Sequence, residues 1–217
     1  MARTRAADYD TQRDRILSRA VEAFAQTGYA AASMAMLAQA CGVSKATLYH
    51  YYPSKQALLF EALDRYTKRL LSILAATQPP GGLAPREALR GTLRALMAEY
   101  RHSRAYHAVL LHDLRFLAPQ EAEQIRAQQR AMVSGLTELI AHAAPGAAVS
   151  AERSVITMAL LGMINFTFAW FKPDGAISHE RFADLAADLW LEGLHGLANP
   201  STIAHEDSHE QSVRIQG

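Results

Sequence analysis

Cysteine is nearly missing from this chain of 217 residues; Cys41 stands alone. One thiol excludes an intramolecular disulfide framework and a multi-cysteine zinc site, and it fits a reducing compartment. An excess of one charge is missing too. Lys and Arg number 22 and Asp and Glu 21, so the net charge of +1 names no partner by itself. The longest apolar run, 155–171, holds Thr157, Asn165 and Thr167 and falls short of the roughly 20 apolar residues a membrane span needs. It reads as a buried helix. The start, 1–14, is polar and charged and shows no signal peptide, so a cytoplasmic protein is expected. No stretch shows sustained period-two alternation, so no sheet is expected. G-x-S-x-G and a glycine-rich phosphate loop are absent, and nothing calls for catalysis, a cofactor or a resident metal.

What is present is enough apolar material for a core. The apolar fraction of 50% against 20% charged excludes disorder for most of the chain. The length corresponds to roughly one and a half domains of ordinary size. The apolar spacing is helical throughout. Ile16, Leu17, Ala20, Val21 and Phe24 define a first helix over about 10–27, stopped by Gly28. Ser33 can cap a second, ending near Cys41-Gly42, and Ser44 a third, reaching about Tyr51. Pro53 forbids simple continuation, and Ser54 can cap a long helix over 55–77. Beyond the break at Gln78–Gly82, helices are expected near 85–101, 104–117, 119–143, 151–171 and 179–197. That is an all-α chain of about nine helices. The polar end, 199–217, reads as a mobile tail.

The balanced total charge hides an asymmetry. In 1–55 seven cations face four acids, an excess of three, which leaves the remainder at −2. A basic head on a slightly acidic body points to an anion, nucleic acid among the choices. The stretch Ser33–Lys55 has the form of a helix-turn-helix. The glycine of Cys41-Gly42-Val43 lets two helices cross steeply, small Ala38 and Cys41 let them pack closely, and Val43 and Leu48 fill the space between. Two-turn helices are marginal alone, so Leu17, Val21 and Phe24 of the first helix must complete the small domain. On the exposed face of the third helix, Lys45, Thr47, Tyr49, His50 and Tyr51 offer a cation, hydroxyls and aromatic surface within seven residues. An inserted helix needs such donors and flat faces for base edges and phosphates. Lys55 opens the next helix, where free N–H groups and the helix dipole also favour phosphate.

Residues 13–59, RDRILSRAVEAFAQTGYAAASMAMLAQACGVSKATLYHYYPSKQALL, resemble the TetR/AcrR family of bacterial repressors, most specifically in GVSKATLYHYYPSKQALL. The resemblance implies a homodimer. It divides each chain into a DNA-binding domain, 1–54, and a larger ligand-binding and dimerisation domain, 55–198. Carried over by position, Ser44, Lys45, Thr47, Tyr49, His50, Tyr51 and Lys55 would touch double-stranded operator DNA. Ala46 would let the backbone approach, and Ser33 would cap the second helix near a phosphate. Ala35 and Met36 depart from the family's polar residues, leaving more to the third helix and to a basic arm carrying Arg3 and Arg5. Tyr52 falls where the family buries an aromatic.

Two other motifs compete. His205-Glu-Asp-Ser-His209 matches the zinc-protease pattern H-E-x-x-H, but it lies in the polar tail, with only Glu210 nearby as a further ligand. His102, His107 and His112 are spaced by five, which does not stack side chains on one helix face.

In the C-terminal half, 151–171 is apolar almost all round, fit for an interior or an interface. Asn165, its odd member, needs a partner when buried. Gly193 and Gly196 would let the last helix approach another closely, so the last two helices can form a four-helix dimer interface. The expected pocket wall is Tyr100, Tyr106, Leu110, Phe116, Met132, Leu136, Met158, Leu161, Asn165 and Phe168. Methionines and few fixed polar groups suit an apolar effector. The stretch LLGMINFTFAWFKPDGAISHERFADL is similar to family members that respond to acyl-CoA thioesters, for which Arg101, Arg104, Arg115, Arg126, Arg130 and Lys172 supply cations. The expected function is a ligand-responsive transcriptional repressor; the alternative is a helical small-molecule-binding module without a transcriptional role.

Overall fold

The computed structural model describes residues 2–77, 84–145, 150–172 and 175–198. Among them are ten α-helical segments, one 3₁₀ turn and no strand. They are α1 (Ala2–Thr27), α2 (Met34–Cys41), α3 (Lys45–Tyr51), α4 (Lys55–Ala76), α5 (Pro85–His102), α6 (Arg104–Asp113), α7 (Pro119–Ala143), α8 (Ser150–Asn165), α9 (Thr167–Trp170) and α10 (His179–Ala198). The 3₁₀ turn, Leu114–Phe116, follows α6 directly. The expected all-α fold is the observed one, and the tail from Asn199, with its H-E-x-x-H, lies outside the described residues.

The chain forms two compact units. The first comprises Met1–Ser72 and Glu99–Ala131, the second Ile73–Ala98 and Met132–Gly217. In the first, Ile16, Leu17, Val21 and Phe24 on one face of α1 are buried against Leu37, Ala38 and Cys41 of α2 and Leu48 of α3. Helix α2 ends where Gly42 adopts φ 67°, ψ 33°. Gly42 N donates to Gln39 O and Val43 N to Ala38 O, both at 3.0 Å, which satisfies the last carbonyls of α2 and turns the chain into α3. Ser44 then caps α3, its Oγ accepting from Thr47 N at 2.9 Å.

In the second unit the core is aliphatic: Leu89, Leu93 and Leu96 of α5, Leu136 and Ile140 of α7, Leu160 and Ile164 of α8, and Leu191 of α10. Its polar rungs are threonine pairs, Thr77 to Thr92 at 2.7 Å and Thr137 to Thr157 at 2.9 Å. Arg86, Arg90 and Arg94 stand one turn apart on α5. They meet Glu192, Asp188 and Asp184 on α10 in reverse order, at 2.7, 2.7 and 2.6 Å.

Three expected helices differ in their ends. The first begins at Ala2 rather than near Asp10, so the stretch carrying Arg3 and Arg5 is helical backbone. The expected 104–117 helix tightens after Asp113 into the 3₁₀ turn and ends extended at Leu117, two residues before Pro119. The expected 151–171 helix breaks at Phe166. There Thr167 Oγ1 donates to Ile164 O at 2.6 Å, a local bond that competes with the helical ladder. By length and composition Glu152–Trp170 is apolar enough to cross a membrane, with 28% of it buried. The break leaves α8 at 16 residues, below the roughly 20 a span needs.

Candidate nucleic-acid interface

Helix α3 buries one side chain, Leu48, at 0% exposure, and turns Lys45, Ala46, Tyr49 and His50 outward. Tyr49 is 45% exposed, and the Lys45 ammonium lies 5.9 Å from its ring centroid. Thr47 is half-buried, its Oγ1 2.7 Å from Ser44 Oγ, so both hydroxyls are already engaged at the start of the helix. Tyr52 is buried, as expected, and burial pushes its phenol up to about 12. Beside α3 opens a concavity of about 590 Å³, lined by Ala30–Ala35, Lys45, Tyr49 and Pro53–Lys55. The start of α2, capped by Ser33 Oγ accepting from Met36 N at 3.2 Å, faces into it. Free helical N–H groups and a lysine around one hollow are what a phosphate backbone needs.

The aromatic part of α3 is divided. Tyr51 is half-buried, its ring stacked on Tyr9 of α1 at 4.6 Å, and the edge of His50 meets Tyr9 at 6.0 Å. Tyr51 therefore braces the end of α3 against α1, while Tyr49 faces outward.

Lys55 departs from its expected place on a phosphate. Its Nζ donates to the carbonyls of Tyr29, Ala30 and Ala32 at 2.9, 3.3 and 2.9 Å, and lies 4.4 Å from the Tyr29 ring centroid. An ammonium has three protons, and all three are engaged. Lys55 holds the loop between α1 and α2.

Cys41 is buried, its Sγ 3.4 Å from Ile16 O, and burial pushes its thiol up. It serves as the small spacer between helices. His107 is buried with Nδ1 3.1 Å from Tyr66 Oη and its ring stacked on Tyr100 at 4.1 Å, whereas His102 and His112 are exposed.

The expected pocket wall falls into two groups. Tyr100, Tyr106, Leu110 and Phe116 belong to the first unit, where Tyr100 and Tyr106 border the buried Tyr66–His107 pair. Met132, Leu136, Met158, Leu161, Asn165 and Phe168 belong to the second. Met132, Leu136 and Leu161 are buried and Asn165 and Phe168 half-buried, but Met158 is 54% exposed and so faces outward. Phe116 stacks on Tyr29 at 4.9 Å rather than on another wall residue. Among the cations reserved for a thioester, Arg126 and Arg130 pair with Glu123, at 3.9 and 2.6 Å. Sequence reasoning passed over Tyr66, Tyr29 and Tyr9; their aromatic character was visible, but their partners lie far off in sequence.

Residues 16–62 match the family described as "Bacterial regulatory proteins, tetR family", and residues 82–194 the "Tetracyclin repressor-like, C-terminal domain". A TetR-family transcriptional regulator from Bordetella parapertussis 12822 superimposes with a TM-score of 0.79 at 32% identity, over 83% of this chain and 94% of that one. AibR, in complex with isovaleryl coenzyme A and operator DNA, superimposes with a TM-score of 0.72 at 27% identity, over 82% and 97%. The transcriptional activator FasR of Mycolicibacterium smegmatis is 31% identical over 136 residues, 60% of this chain and 59% of its own. The first curated relatives are spanned over 37 to 59% of their lengths. With both halves of the pattern matched and a relative covered nearly end to end, the chain belongs to the TetR family of bacterial transcriptional regulators, which are DNA-binding proteins and not enzymes.

Proposed function

We propose that this chain is a ligand-responsive repressor that acts in the cytoplasm as a homodimer on a pseudo-palindromic operator. The observation that carries the reading is the outward face of α3, with Lys45, Tyr49 and His50 exposed on a helix anchored by Leu48. In this reading residues 1–54 bind DNA and 55–198 sense the ligand and join the two copies. Ser33, Ser44, Lys45, Ala46, Thr47, Tyr49 and His50 lie at or beside the DNA. Tyr51 and Lys55 support that surface from behind. One such unit touches only a few base pairs, too few for a specific site among competing genomic sequences. Two copies related by a two-fold axis double the contacts and place them about 34–36 Å apart.

The exposed apolar side chains of the second unit supply a surface for that pairing: Val155 and Met158 on α8, Trp170 on α9 and Leu189 on α10. Asp188 and Glu192 face the arginines of α5, so the apolar positions are left for the partner. For the effector, an acyl-CoA is favoured by the likeness to AibR, whose complex holds isovaleryl coenzyme A. The likeness to FasR supports a second reading, activation in place of repression.

Tyr49→Ala and Lys45→Ala test the central claim. Each is expected to cost about 1–3 kcal/mol of affinity for the promoter of the chain's own gene while the protein stays folded. Unchanged gel shifts for both would remove α3 from the interface. Titration with isovaleryl-CoA, longer acyl-CoAs and bare CoA, read by calorimetry and operator release, tests the effector. No binding below about 100 μM, a weak affinity of roughly 5–6 kcal/mol, would end the thioester reading.

A further inference from the structure

Lys55 is one of four side chains closed around a single loop; Phe24 comes from the end of α1, and Asp113 and Phe116 from a distant part of the first unit. The loop runs from Gly28, at φ 78°, to Ser33, the cap of α2. Its carbonyls at Tyr29, Ala30 and Ala32 take the Lys55 ammonium. Its one large side chain, Tyr29, is 7% exposed. The Tyr29 ring lies against Phe24 at 5.3 Å and is stacked on Phe116 at 4.9 Å with 27° between the planes. The carboxylate of Asp113, itself 7% exposed, lies close enough for the Tyr29 backbone N–H to offset part of the rise that burial imposes on its carboxyl. The loop is therefore gripped by α4 through Lys55 and by the end of α6 through Asp113 and Phe116.

The place of the second grip matters. Asp113 is the last residue of α6, and Phe116 ends the 3₁₀ turn that follows. A 3₁₀ turn has poorer hydrogen-bond geometry than an α-helix, and such short pieces serve as joints. The least regular part of α6 is thus the part that touches the loop. Four residues after Tyr29, Ser33 caps α2, whose first turn borders the concavity beside α3.

We propose that Phe116 and Asp113 are positioning residues for operator binding: through Tyr29 they set the α1–α2 loop and the capped start of α2, and a rearrangement of the 3₁₀ turn alters DNA affinity although the turn touches no DNA. The proposal rests on the DNA-binding reading above. It gives a route by which the end of α6 reaches the DNA-facing edge through the loop.

The test compares Phe116→Ala with Phe116→Tyr, and Asp113→Ala with Asp113→Asn, in the full chain. Tyrosine keeps the stacked ring, and asparagine keeps the side chain's size and an oxygen beside the Tyr29 N–H. Val109→Ala, also buried on α6, controls for plain loss of stability. Hydrogen exchange over 28–37 and fluorescence anisotropy on a duplex from the chain's own promoter are read together. Phe116→Ala and Asp113→Ala are expected to speed exchange over 28–37 about tenfold and to weaken duplex binding about as much, with Phe116→Tyr and Asp113→Asn close to the parent. Unchanged exchange in both alanine variants, or equal loosening in Val109→Ala, overturns the proposal. If the parent binds no duplex, the DNA-binding reading falls, and the exchange data still decide whether the end of α6 sets the loop. If Phe116→Ala does not fold, the Asp113 pair carries the decision.

Discussion

In the first compact unit the two-turn helix α3 holds polar and aromatic side chains outward from one anchoring leucine. In the second, α5 and α10 tie their polar groups to one another, and α8 and α10 leave apolar side chains outside. Helix α3 exposes Lys45, Tyr49 and His50 and buries only Leu48, whereas α8 and α10 expose Val155, Met158 and Leu189 above an aliphatic core. The charged groups of α3 and α5 differ in the same way. Lys45 lies free of any ion pair among the described residues, but Arg86, Arg90 and Arg94 are each matched to an acid on α10. A surface of unmatched donors and flat rings suits a polyanion with base edges. A surface of unmatched aliphatic groups suits another apolar surface.

The sharpest way to break this contrast is at the anchor of α3. Leu48→Ala removes a fully buried side chain and is expected to cost about 2–5 kcal/mol in urea unfolding. A loss below about 1 kcal/mol, less than such cavities cost, would mean that α3 is held by something other than its core side.

Next comes the outer face of the second unit. Leu189→Glu places a charge on a side chain that is 68% exposed, so the fold should tolerate it. Light scattering is expected to show the parent as a dimer and the variant as a monomer, with unfolding of each monomer little changed. A parent already monomeric at working concentration would remove the two-site mechanism altogether.

Ser44→Ala takes away the cap of α3 and should cost about 1 kcal/mol. Operator affinity should fall with it, because the start of α3 carries Lys45. Intact stability with lost binding would sharpen the contrast, showing that the Ser44 hydroxyl serves DNA more than the helix.

The smallest effect is expected from the ion pairs of the second unit. Arg86→Ala should change stability by less than about 1 kcal/mol, since exposed pairs such as Arg86–Glu192 contribute little. The hydrogen bond from Arg94 holds the Asp184 carboxyl below the usual carboxylate range. The folded value is thus lower than the unfolded one. The contribution of Asp184 is complete above the ordinary value near 3.8 and is lost as pH falls through the lowered folded value. Arg94→Ala should flatten the thermal-stability profile in that acidic window and leave it unchanged at neutral pH.

The same division governs how much could be read without coordinates. The turn between α2 and α3 is a local affair: Gly42 accepts a positive φ, Ser44 caps and Pro53 stops, and each acts within a few residues of itself. The outward face of α3 follows from its period and from Leu48. Lys55 could not be placed this way, because its charge is visible but the three carbonyls it binds are 23 to 26 residues away. Tyr29 and Phe116 illustrate the same limit, as two ordinary aromatics until the fold stacks them. The break at Phe166 was hidden because apolar content continues across it and only the Thr167 hydroxyl departs from the ladder. The wall of the effector site has no local signature at all. Apolar residues at helical spacing serve a core, a pocket or an outer face alike, and Met158 belongs to the last.

The arginines of α5 have a consequence for alignment. Arg86, Arg90 and Arg94 are spaced by four, and so are Asp184, Asp188 and Glu192. A slip of α10 along α5 by four residues, about 6 Å at 1.5 Å per residue, would re-form two of the three pairs. A slip of two would set each arginine between acids and re-form none. The row thus works as a coarse detent with equally spaced notches, unable to tell one notch from the next. Selection of the right notch falls to the apolar side chains of uneven size buried on the two helices, Leu89, Leu93 and Leu96 on α5 and Ala183, Ala187 and Leu191 on α10.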